Sequence, residues 1–277
     1  MKVYFKEIGL RNHGNYHEIF KTIPNNLCEP LRPLRLISLL MPCLIDIIAR
    51  IRNLMPTSFY KYESRAQHMS NLAQAKFNMI EQQIRPWEVF DAQVLNVFDS
   101  IERAHFVPEQ YKGLAYADCQ LPIVEGESML PPVVEGRMLQ ALGLKPSDSV
   151  LEIGSGCGYI TACLASLADH VTSLDLHADA TEMASSKLQE QEITNVELQT
   201  ISSLDEVTHK ERYDVITISA GSLNIIPQNL KNALVIDGRL FAITGAAPAK
   251  QAQLISRVSQ TEWKVENLFE TDIPDIG

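Results

Sequence analysis

From residue 149 onward, short apolar runs alternate with amphipathic stretches. Ser149–Ile153, His170–Leu176, Val196–Thr200, Tyr213–Ser219 and Leu234–Thr244 read as strands. Helical patterns separate the first four, at Tyr159–Ala168, at Ala178–Glu190 and, shorter, near Asp205–His209. Continuous apolar strands alternating with helices predict an α/β fold whose mostly parallel sheet is covered on both faces. After Pro248 the order changes. Gln253–Ser259 and Trp263–Phe269 read as two strands joined tightly around Gln260–Thr261, a C-terminal antiparallel hairpin.

Regular patterning begins near Met69. Ser70 is placed to cap a helix with Leu72, Phe77, Ile80 and Ile84 at helical spacing, ending before Pro86. Asp91 is placed to cap a second, with Val94, Leu95, Phe98 and Ile101 on one face. Residues 1–68 hold five prolines and no sustained period, so the chain divides into a leader, 1–68, and a domain, 69–277. Charge follows the same division: the leader has ten Lys/Arg against five Asp/Glu, the remainder fourteen against twenty-nine. A net charge of -10 argues against nucleic-acid binding, which needs clustered cations. The longest apolar run, Leu36 to Ala49, contains Pro42 and Asp46 and is too short to span a bilayer. Five cysteines without metal-ligand spacing predict no metal site and reduced thiols in a cytoplasmic protein.

The sharpest local feature is Val150-Leu-Glu152-Ile-Gly154-Ser155-Gly156-Cys-Gly158-Tyr159, a buried strand running into alternate glycines and then a helix. Glycine there permits close approach of a ligand and turn dihedrals closed to other residues. Asp175, at the end of the next strand, is placed to accept hydrogen bonds from a ribose diol, with Leu176 beside it. A dinucleotide loop needs glycine where Tyr159 stands. The observed spacing suits S-adenosyl-L-methionine instead, with Glu152 offering negative charge near its ammonium and sulfonium. The expected fold is thus a Rossmann-like doubly wound sheet with helices on both faces.

Upstream lie Phe106-Val-Pro108, Tyr116-Ala-Asp118, Leu121-Pro-Ile123 and Gly126-Glu-Ser128-Met-Leu130-Pro-Pro132. In that order they resemble the protein-L-isoaspartate O-methyltransferase family, whose sequences read "FVP", "Y.D", "LPI" and "G-Q-T-I-S-x-P" before a similar glycine loop. The resemblance covers roughly Met69 to Phe269. It implies a monomeric methyltransferase acting on carboxylates of isoaspartyl proteins or peptides, with Ser128 and Leu130 at the catalytic loop. Leu130 stands where the family has its active-site serine, and Ser128 where it has threonine. Ser202 stands where the family has an acidic residue facing the adenosine. The missing hydroxyl at Leu130 predicts slow isoaspartyl methylation. Of the other residues, Trp87 is expected to pack at a helix junction, Cys157 to fill space inside the loop, and Ser219-Ala-Gly-Ser222 to border the site.

Overall fold

The computed structural model describes residues 71–276 apart from 125 and 209–211; the leader and the Ser70 cap lie outside the described residues. Residues 71–78 are helical and pass into a π-helical stretch, Met79–Ile84, and a 3-10 turn, Arg85–Trp87. Leu72, Ala75, Met79 and Ile80 form the inward stripe, and the wider π winding keeps Ile84 buried with them. Phe77 falls off that stripe and is 57% exposed. Trp87 is also exposed rather than packed at a junction, because the chain leaves the helix there through a left-handed Glu88. The second expected helix forms as read: Asp91 Oδ1 accepts from the backbone N–H of Gln93 and Val94, starting α1, Ala92–Ser100.

A short helix α2, Arg103–Phe106, leads to a two-stranded ribbon, β1 (Leu121–Pro122) against β2 (Ser128–Met129), and then to α3, Pro132–Leu142. The main sheet follows: β3 (Ser149–Ile153), β4 (His170–Asp175), β5 (Val196–Thr200), β6 (Tyr213–Leu223), β7 (Leu234–Thr244), β8 (Lys250–Arg257) and β9 (Trp263–Thr271). Its order is β5-β4-β3-β6-β7-β8-β9, parallel from β5 through β7 and antiparallel for the last two pairings. Helices α4 (Tyr159–Leu167), α5 (Ala178–Glu190) and α6 (Gln228–Ala233) connect the strands. The doubly wound sheet with its closing hairpin is the architecture the alternating pattern predicts. Strand β6 runs four residues beyond its expected end. Its pairing with β7 slips between Thr217 and Ser222, so the small polar run Ser219–Ser222 is strand carrying an irregularity at the sheet's rim.

The sheet separates two apolar cores. On one side Phe98, Met138, Leu139, Tyr159 and Leu164 cover Val150, Val171 and Phe241; on the other, Leu230 and Ala233 of α6 cover Leu151, Ile216 and Leu240. Within the first core sits a fully buried cation. The Arg103 guanidinium makes a two-pronged pair with Glu135 (Nε to Oε2 3.1 Å, Nη2 to Oε1 3.0 Å). It also donates to the carbonyls of Ala115 (2.7 Å) and Leu130 (2.8 Å) and lies 5.3 Å over the Tyr159 ring. One side chain thus joins α2, the segment before β1, the loop after β2, α3 and α4.

Removing one partner of such a pair strands a buried charge. Arg103→Met is expected to lower stability by about 3–5 kcal/mol, and Arg103→Met combined with Glu135→Gln to recover part of that loss. Urea unfolding of the three proteins checks it; a double variant no better than the single one would place the effect in the lost carbonyl contacts.

Candidate active site

The C-terminal ends of β3, β4 and β6 converge on the glycine loop, and its three glycines answer to three different constraints. Gly154 has φ +101°, and a Cβ there would lie 2.4 Å from Ala220 Cβ, against the irregular part of β6. Gly158, φ +85°, caps α4, and a Cβ there would press on Ala184 of α5 at 3.1 Å. Gly156, φ +50°, lines the cleft, and a Cβ there would meet only a side-chain end, Ile123 Cδ1, at 3.1 Å. Backbone packing thus sets Gly154 and Gly158, whereas at Gly156 the positive φ and a flexible side chain are the constraints.

One cleft brings together Gly154, Ser155 and Gly156 with Ser128 and Leu130, and adds Ile123, Glu127, Ser219 and Ala220. A smaller recess adjoins it, sharing Ser128, Leu130 and Ala220 and closed by Gln120, Gly221 and Pro274. Leu130 is 5% exposed and joins the first core, so its isobutyl group is a wall of both spaces. The recess is closed by the last described residues. Lys250, 4% exposed, donates to Ser222 Oγ (2.7 Å), the Ile273 carbonyl (2.6 Å) and Asp275 Oδ1 (2.7 Å), fixing 273–275 across the end of β6.

Glu152, expected to offer negative charge near the ligand, is fully buried beneath the loop. Thr161 and Ser173 donate to its Oε2 at 2.6 and 2.7 Å, and Ser155 lies 2.8 Å from Ser173, extending the chain of hydroxyls. Ser219 Oγ lies 3.1 Å from Glu152 Oε1 and 2.8 Å from the Gly154 carbonyl, but has a single proton to give. That one proton is shared between the two acceptors. Burial pushes its carboxyl up to about 7 against the pull of those hydroxyls. Its position supports the loop's shape from below. Thr161 and Ser173, which the pattern reading passed over, are signalled in sequence only as hydroxyls inside otherwise apolar elements.

Asp175 is buried beside Gly156: its Oδ2 accepts from the Gly156 N–H and its Oδ1 from the His177 N–H, both at 2.9 Å. Glu127, in the loop between β1 and β2, lies near it; burial first, then the neighbouring Asp175, pushes the Glu127 carboxyl up to about 7. Leu176 is half-buried next to them, packed on the second core. Ser202 is exposed, follows β5, and donates its backbone N–H to Glu206 Oε1 at 2.8 Å. Neither borders the cleft that holds Ser128 and Leu130. Cys157 is buried inside the loop, its thiol pushed up to about 12 by burial, consistent with space-filling. No group of metal-ligating side chains occurs among the described residues.

The residues fit an S-adenosyl ligand: the glycine loop lines the cleft without side chains at Gly154 and Gly156, and Asp175 sets a buried acidic group against the Gly156 N–H. A model of the Protein-L-isoaspartate(D-aspartate) O-methyltransferase family matches residues 74–272. A protein-L-isoaspartate O-methyltransferase of Protochlamydia amoebophila is 37% identical over 206 residues, covering 72% of this chain and 95% of the relative. One of Rhodopseudomonas palustris is 35% identical over 191 residues, covering 69% and 87%. A crystal structure from Plasmodium falciparum, described as a protein-L-isoaspartate O-methyltransferase with S-adenosyl-L-homocysteine, superposes with TM-score 0.62 at 18% identity. It covers 72% of this chain and 97% of the other. The molecule is an S-adenosylmethionine-dependent methyltransferase. Within that class, the chain belongs to the Protein-L-isoaspartate(D-aspartate) O-methyltransferase family.

Glu152 gives a pH test of the site's support. Its folded value lies above the ordinary 4.5, so the native state holds a proton that the unfolded chain releases. Its contribution is whole below about pH 4.5 and is lost as pH rises towards 7, on the order of 2–3 kcal/mol. Glutamine reproduces the neutral acid's donors and acceptors. Glu152→Gln should therefore fall less steeply in denaturant stability between pH 5 and 7 (Glu127 keeps its own share); an unchanged slope would mean Glu152 is ionised throughout.

Proposed function

We propose that this protein transfers a methyl group from S-adenosylmethionine to the free carboxylate of isoaspartyl residues in damaged proteins and peptides. The single observation that carries the reading is the shared cleft, in which the glycine loop faces Ser128 and Leu130 of the upstream loop. When bound, S-adenosylmethionine supplies an electrophilic methyl group on a sulfonium. A carboxylate acceptor, with a reference pKa of about 4, is already ionised at neutral pH and requires no general base. The protein's work is therefore alignment and exclusion of water, effects worth up to roughly 7–11 kcal/mol in favourable cases.

The chain's residues divide that work. Gly154, Ser155, Gly156 and Gly158 form the loop that would hold the ligand's amino-acid portion; Asp175 would accept from its ribose, with Leu176 and Ser202 along the adenosine. Ser128 offers its hydroxyl to the acceptor carboxylate, and Leu130 walls the acceptor side, dry but without a donor. The net charge of -10 disfavours nucleic acid. No described helix is long and apolar enough to cross a membrane. A monomeric state is part of the same proposal. Free Cys119, Cys157 and Cys163 support a reducing, cytoplasmic setting.

Methylation of an isoaspartyl peptide beside its aspartyl twin tests the assignment, and labelling of neither would remove it. Leu130→Ser restores a positioning donor and opens the recess, so kcat/KM for the isoaspartyl peptide should rise about tenfold or more. An unchanged rate with intact cofactor affinity would place the acceptor elsewhere. The domain 69–277 is proposed to be self-sufficient, since the family match begins at residue 74. Expressed alone, it should bind S-adenosylhomocysteine with the affinity of the full chain; insolubility or much weaker binding in calorimetry would make the leader part of the fold.

A further inference from the structure

A carboxylate held in the recess needs hydrogen-bond donors aimed at it, because burial strips away its water. Ser128 offers one, and Leu130 offers none. The hydroxyls of Ser155 and Ser219 are engaged beneath the glycine loop, on Ser173, Glu152 and the Gly154 carbonyl. The ribbon supplies a further group. Its pairs set Leu121 opposite Met129 and Pro122 opposite Ser128, so one step further along the same antiparallel register sets Gln120 opposite Leu130. Side chains at directly opposite positions share a face, with Cβ atoms about 4.5–5.5 Å apart. Ser128, two residues before Leu130, lies on that face too. The three do meet on one surface: Gln120, Ser128 and Leu130 all line the recess, with Ala220 and Pro274. The half-buried Gln120 side chain donates through Nε2 to the Asp272 carbonyl at 3.2 Å. A carboxamide carries two N–H groups, so that bond steadies the side chain and leaves the second N–H for a ligand.

We propose that Gln120 supplies, from the opposite strand, the donor that Leu130 lacks: the Gln120 amide and the Ser128 hydroxyl together receive the acceptor carboxylate. The inference rests on the reading of the acceptor as an isoaspartyl carboxylate. Leu130 then plays the complementary part, excluding water from one side of a group that the amide holds from the other. The choice of donor suits the reaction. An amide N–H is too weak an acid to protonate the carboxylate it holds, so the nucleophile stays ionised while it is positioned. The bond to Asp272 adds a constraint, because it ties the amide to the start of the segment that closes the same recess at Pro274.

Gln120→Met keeps the length of the side chain and removes both N–H groups. With an isoaspartyl peptide its kcat/KM should fall about tenfold to a hundredfold, the scale of a lost hydrogen bond to a charged group. Affinity for S-adenosylhomocysteine, read by calorimetry, should be unchanged, since Gln120 lines the recess and not the cleft around the glycine loop. Gln120→Glu keeps the shape but sets a second anion against the acceptor, and should lose more activity than Gln120→Met. Leu130→Ser added to Gln120→Met should restore activity by a larger factor than it gains with Gln120 intact, because either donor substitutes for the other. An unchanged kcat/KM in Gln120→Met overturns the inference. So does a loss that Leu130→Ser fails to recover, or one matched by lost cofactor affinity, since either makes the amide a prop for Asp272 alone. Failure of the unaltered protein to label the isoaspartyl peptide would remove the acceptor reading itself and this inference with it.

Discussion

The buried guanidinium of Arg103 is the constraint on which the site depends. The acceptor side of the cleft is built from short pieces: α2, a two-residue ribbon, and the loop through Leu130. None of them has enough apolar surface or backbone pairing to hold a shape alone. The cofactor side, by contrast, grows from a seven-stranded sheet. Arg103 joins the two by spending its fork on Glu135 and two loop carbonyls while resting over Tyr159, the first residue of the helix that follows the glycine loop. A lysine would supply the charge but not the planar fork that reaches three elements at once.

Below the loop the logic is different. There the polar groups are small and mutually satisfied: Thr161, Ser173, Ser155 and Ser219 surround one carboxyl that stays neutral through much of the acidic range. Such a network gives the loop a fixed floor without placing a full charge beneath a cationic sulfonium ligand at low pH. Above the floor, burial and the neighbouring Asp175 push the Glu127 carboxyl up to about 7 as well. Two nearby acids, each held near neutrality for its own reason, make this corner of the sheet unusually responsive to proton concentration.

Much of this was legible in the sequence because period and punctuation agree. Strands β3, β5 and β7 begin and end where the apolar runs do, and Asp91 caps α1 as its spacing requires. The extension of β6 was not legible, since Ser-Ala-Gly-Ser has no strand character and is held by the slipped pairing with β7 and the chain crossing it near Pro274. Nor was the exposure of Phe77, which follows from a π stretch that sequence period does not mark. At the site, Gly154 and Gly156 were readable from spacing, and Ser128 and Leu130 through the family resemblance of the upstream loop. The surroundings of Glu152 were not readable, because its position on a strand says nothing of the three hydroxyls waiting inside. The setting of Glu127 was hidden for a simpler reason: its neighbour Asp175 lies far off in the chain.

The lysine at the start of β8 has a broader implication. Its ammonium is enclosed, and two of its three acceptors belong to residues 273–275. Residues 273–275 therefore behave as a plank of the wall: what holds them is a charge enclosed at the far end of another strand, so the firmness of the recess beside Leu130 is set from β8 rather than from the loops around it.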